Sequence, residues 1–143
     1  TVRFLQSLGV VYVTCSGLIP TGNAARRESV FMKLSREEIT EVVKKAAAYC
    51  WEYGMEISFT SPGWITEEDL RKMGLSVPSC GAALSNMAVT PAGDVVACQS
   101  CLNREIFGNM RNTEWKKIWN HPASKRYREF SRKMEQSCPL GED

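Results

Sequence analysis

No apolar run in this 143-residue chain approaches the length of a membrane span, and no signal peptide opens it. Both absences argue against insertion in a bilayer and against export. Charge of one sign is also scarce: 18 Lys and Arg against 16 Asp and Glu leave a net charge of +2, which singles out no partner. Internal repeats and low-complexity tracts are missing, so repeat arrays and biased linkers drop out. What the chain does have is cysteine, six in all, unevenly spaced among segments patterned like an α/β protein. That spacing does not resemble a secreted disulfide framework and points to a reduced, cytoplasmic setting with metal-binding thiols. The length suits one domain or two small ones. The chain starts at Thr1 and stops soon after Cys138, and neither end resembles a natural domain boundary, so we expect a fragment.

The first half alternates helix and strand. Val2 to Leu8 predicts the last turns of a helix, closed by Gly9 in the left-handed region. Val10 to Thr14 is apolar and β-branched, which predicts a strand buried on both faces. A long loop punctuated by Gly and Pro follows, with Arg26 and Arg27 near its end. Ser35 and Glu38 form a capping box. Ile39, Val42, Val43, Ala46, Ala47, Cys50 and Tyr53 then recur at helical spacing up to Gly54. Glu56 to Thr60 predicts the next strand. Thr66 caps a short acidic-headed helix that Gly74 ends. Such alternation makes βα units with parallel strands. Two strands do not make a stable sheet alone, so this half reads as part of a larger barrel or open sheet, free to self-associate or to pack on a partner.

The second half is organised around Cys80 to Cys101, which holds three cysteines and a hairpin signature. Met87 to Thr90 and Asp94 to Ala97 are short strand-like runs, with Thr90-Pro91-Ala92-Gly93 as the turn between them. Pro91 presets φ at the first central position, and Gly93 accepts the positive φ of a bulged turn. Folding this hairpin returns Cys98 to the start of the first strand, within reach of Cys80. Cys101 follows after a two-residue gap, the spacing with which two thiolates grip one metal or cluster. Phe107 to Asn109 predicts a turn. Asn112 or Thr113 is expected to cap a helix with Trp115, Ile118 and Trp119 as its stripe, the tryptophans anchoring over the hairpin. Pro122 starts a further helix with Ala123, Tyr127, Phe130 and Met134 on one face.

Cys80, twelve residues, Gly93, four residues, Cys98 resembles the opening of the SPASM and twitch domains of radical S-adenosylmethionine enzymes. The stretch Gly108-Asn109-Met110 through Trp115-Lys116-Lys117-Ile118-Trp119-Asn120-His121-Pro122 is also similar to that family. Cys138 falls where its second cysteine run begins. The first half resembles the later βα units of the radical SAM partial barrel, and the whole is similar to the pyrroloquinoline-quinone and haem-pathway maturases. The resemblance implies an α/β fold: the end of a partial (β/α) barrel over residues 1–74, then a cysteine-rich SPASM/twitch-like module of hairpin and helices over 75–143. It implies an auxiliary 4Fe–4S cluster on Cys80, Cys98 and Cys138, with Cys101 a candidate fourth ligand. Arg26 would lie on the S-adenosylmethionine side. S-adenosylmethionine and a second 4Fe–4S cluster would belong to the full-length protein. No C-x3-C-x2-C loop is present, so this chain alone is not expected to cleave S-adenosylmethionine, and Gly141 stands where the family's run has a cysteine. The partners so implied are a peptide, protein or small-molecule substrate and an electron-donor protein, with no nucleic acid and no membrane.

Plainer readings stand beside these. Tetrahedral thiolates also suit structural zinc, in a non-catalytic module that binds protein. Cys15 and Cys50 read as inert core thiols. His121, the sole histidine, could complete a Cys3His site but reads more simply as a cap or surface residue. The arginines at 26 and 27 read as solvated unless they meet a carboxylate or phosphate. The basic tail (Lys116, Lys117, Lys125, Arg126, Arg128, Arg132, Lys133) alternates with acids and apolar faces and reads as a solvated surface.

Overall fold

The computed structural model describes residues 1–19, 24, 34–102 and 104–133. Helix α1 (Val2–Ser7) ends as expected: Gly9 takes φ +79°, and its amide donates to the Gln6 carbonyl. Strand β1 (Tyr12–Cys15) pairs in parallel with β2 (Glu56–Phe59), Tyr12 opposite Glu56 and Cys15 opposite Phe59. Between them runs α2 (Arg36–Glu52), which opens with the complete capping box: Glu38 N–H donates to Ser35 Oγ and Ser35 N–H donates to the Glu38 carboxylate. Helix α3 (Glu67–Lys72) is capped by Thr66 through a bond from the Asp69 amide. The β1–α2–β2–α3 order with parallel pairing bears out the βα reading.

One expectation for β1 fails. Its residues alternate between exposed and half-buried rather than being buried on both faces, because α2 covers one side of the two-stranded sheet. Val11 and Tyr12 are exposed. On α2 the buried stripe is Ile39, Val43, Ala47 and Cys50, whereas Val42 and Tyr53 face solvent. That stripe packs on Ile57 and Phe59 of β2 and on Leu70 of α3 to form a first core.

A second core gathers around the hairpin. Strands β3 (Ala88–Val89) and β4 (Asp94–Val96) pair antiparallel, and β5 (Gly108–Asn109) adds to the other edge of β4. The expected turn at 107–109 is thus a third strand. Gly108 permits it, since a Cβ there would stand 2.9 Å from both Ile118 Cγ1 and Thr113 Cγ2. Helices α4 (Trp115–Trp119) and α5 (Pro122–Lys133) close over this sheet, burying Ile118 and Ala123 against Val95, Val96 and Phe107. Glu114, not Asn112 or Thr113, precedes α4, and the Thr113 hydroxyl accepts the Asn109 amide instead. Trp115 and Trp119 are exposed rather than core anchors. Arg128, expected on a solvated face, is buried: it donates to Ser124 Oγ and to the Trp119 carbonyl, and lies 4.0 Å over the Trp119 ring. Met134 lies outside the described residues.

Candidate metal centre

The hairpin turn closes where expected. Gly93 N–H donates to the Thr90 carbonyl, Thr90 N–H donates to that of Asp94, and Gly93 sits at φ +92°. With Ala88 opposite Val96, the strands carry Asn86 and Met87 to the same end as Cys98. There a single 3-10 turn (Gln99–Cys101), held by the Cys101 amide on the Cys98 carbonyl, brings the two sulfurs to 3.5 Å. Cys98 is half-buried, while Cys101 is 3% exposed and belongs to the second core.

That pair shares its protons unequally. The hydrogen bond from the Cys101 thiol, joined by backbone donors at Ser100 and Cys101 and by the Ser100 side chain, outweighs burial and draws Cys98 down to about 6. The same bond, with burial, pushes Cys101 far up. The lowering of Cys98 by its donors favours the thiolate form, which is the state a metal ligand needs.

Cys80 approaches from the segment before β3. The loop after it is tight: Gly81's carbonyl accepts the amides of Leu84, Ser85 and Asn86, and a Cβ at Gly81 would collide with the Ser85 and Asn86 side chains. Cys80 and Cys98 line one cavity of about 480 Å³, which Ser16, Ile19, Thr60, Ser61 and Pro62 also line. These latter residues follow β1 and β2, so the cysteines face the carboxyl ends of parallel strands, where α/β sheets place their ligands. Ser61 steadies that wall by accepting the Gly17 amide at 2.9 Å.

The cysteines here fit a metal group in donor chemistry, and Cys98 with Cys101 fits one in spacing. Two thiolates on one tetrahedral ion at ordinary bond lengths stand ~3.8 Å apart, close to the Cys98–Cys101 separation. Cys80 stands away from that pair: among the described residues, no three His, Cys, Asp or Glu side chains come together tightly enough to hold one ion. A cluster has several irons and takes more widely spread thiolates than a single ion. Cys101 does not line the cavity and lies behind Cys98. Cys138 and Arg26 lie outside the described residues. His121 is spent as a cap, its Nδ1 accepting the Ala123 amide at the start of α5 while its ring stacks on Phe107. Cys50 is fully buried and Cys15 half-buried, and desolvation pushes both thiols up, which suits core packing.

Residues 80–140 match the family model of SPASM, an iron–sulfur cluster-binding domain. The matched segment covers the hairpin, β5, α4 and α5, and includes Cys80, Gly93, Cys98, Cys101 and Cys138. No curated protein and no solved structure matches the chain. The donor set of the matched segment is compatible with that description, since the cavity lining offers the sulfurs of Cys80 and Cys98 and no carboxylate. Sequence patterning missed one polar residue at this site, Ser131, and with it the buried polar face of α5. The signal was Ser124, Arg128 and Ser131 at helical spacing, which puts all three on one face. No helix among the described residues is long and apolar enough to cross a membrane.

Proposed function

We propose that this chain is the C-terminal part of a radical S-adenosylmethionine enzyme and that its SPASM segment holds an auxiliary 4Fe–4S cluster. Cys80 and Cys98 would be cluster ligands, with Cys138 and Cys101 completing the set. The cluster, when bound, supplies one-electron transfer or an open iron for substrate during maturation of a peptide, protein or cofactor. The chain's own contribution is positional. The hairpin presents Cys98 as a thiolate, the Gly81 turn presents Cys80, and the two face the carboxyl ends of β1 and β2 across one cavity. The single observation that carries the reading is the SPASM match over the residues whose hairpin gathers those thiols. The parallel βα units of the first half support placing a radical SAM barrel beside it, with S-adenosylmethionine and the second cluster bound by the full-length enzyme.

A second reading has its own observation. The 3.5 Å separation of Cys98 and Cys101 suits two thiolates on one structural zinc. Anaerobic reconstitution with iron and sulfide decides between them. About four irons per chain and a visible thiolate-to-iron band, both lost in Cys80→Ala and Cys98→Ala, are expected. Stoichiometric zinc with no iron uptake through the same cysteines would overturn the cluster.

A further inference from the structure

Ser131 lies in the last described turn of α5 and is 1% exposed. An alanine would pack in that position without polar cost, and a serine weakens a helix interior by competing for backbone bonds. Its hydroxyl instead reaches across the fold to the cysteine loop, donating to the Ala82 carbonyl at 2.8 Å with Cys80 Sγ at 3.7 Å. One turn earlier on the same helix, Tyr127 packs into the second core beside Cys101.

A hydroxyl has one proton to give. In the metal-free protein the Ser131 hydroxyl has two acceptors in reach, the Ala82 carbonyl at the shorter contact and Cys80 Sγ at the longer one. A metal-bound Cys80 has lost its thiol proton and can only accept, so the contact is favourable only where the hydroxyl proton points to sulfur. A bond to the thiolate is charge-assisted and stronger than one to a neutral carbonyl. Turning or sharing the proton is therefore favoured once the ligand is anionic.

Resting on the cluster reading above, we infer that Ser131 is a positioning residue whose hydroxyl donates a hydrogen bond to the Cys80 thiolate in the loaded protein. Hydrogen bonds to ligand sulfur stabilise the extra electron of a reduced cluster and raise its potential.

The test uses the full chain, reconstituted anaerobically, as wild type, Ser131→Ala and Ser131→Thr. Iron content is measured first; a wild type without iron sinks the cluster reading, and this inference with it. With iron present, resonance Raman in H2O and D2O should show an isotope-sensitive Fe–S(Cys) stretch that Ser131→Ala removes and Ser131→Thr keeps. The midpoint potential of the alanine variant should move negative with its iron unchanged, and that of the threonine variant should stay near wild type. An isotope-insensitive wild type overturns the inference, as does an alanine variant with the wild-type shift and potential. Should the alanine variant not fold, Ser131→Gly removes the same hydroxyl and is read by the same two signals.

Discussion

Gly93→Ala tests the hairpin on which the site depends. Gly93 sits at φ +92°, where an L side chain costs about 1–2 kcal/mol. The new Cβ would also stand 3.0 Å from Asn109 Oδ1 and 3.3 Å from its Nδ2. Asn109 cannot retreat freely. Its Nδ2 donates to the Ala92 carbonyl at 3.0 Å and to Asp94 Oδ1 at 2.8 Å, and its Oδ1 accepts the Arg111 amide at 2.9 Å. Stretching those bonds, each worth about 1 kcal/mol, brings the total to about 2–4 kcal/mol. With a urea slope of about 2 kcal/mol/M, the unfolding midpoint should fall by about 1–2 M. The Asn109→Ala background separates the two causes: with the obstacle gone, Gly93→Ala should cost only the backbone strain of about 1–2 kcal/mol. A change under about 0.5 kcal/mol in the wild-type background would refute the reasoning, as would equal costs in both. Iron uptake on reconstitution should fall with the turn, because β4 delivers Cys98 to the cavity.

Cys98 in the reduced, metal-free protein should alkylate as a thiolate down to about pH 6, with its rate falling below that. Cys101→Ala removes the principal donor and should shift the profile upward toward ordinary thiols, whereas an unchanged iodoacetamide pH–rate profile would show that Cys101 does not set it. Arg128→Met removes two short bonds, at 2.7 Å to Ser124 and 2.7 Å to the Trp119 carbonyl, along with the stack on the Trp119 ring. It should cost about 2 kcal/mol in denaturant unfolding, and wild-type stability would show that the α4–α5 junction does not depend on this cation.

Local chemistry settled much of this protein before any folding. Ser35 with Glu38, Thr66, Gly9, Gly54 and Gly74 mark helix ends through bonds and dihedrals that span a few residues, and each was legible for that reason. The Thr90–Gly93 turn belongs to the same class, and with it the return of Cys98 toward Asn86. What depended on distant partners was not legible. The exposed face of β1 reflects how many layers cover the sheet, which no strand pattern encodes. Strand β5 exists because Gly108 lets the chain pass under Ile118 and Thr113, a proximity set by α4. Arg128 and Ser131 resemble surface residues in sequence, yet both are buried, Arg128 with the Trp119 carbonyl of the preceding helix accepting its proton and Ser131 with the Ala82 carbonyl across the fold accepting its own. Hydrogen bonds within a turn are written in neighbouring residues. The partners of a buried polar side chain are decided only when the second core closes α5 onto the cysteine loop.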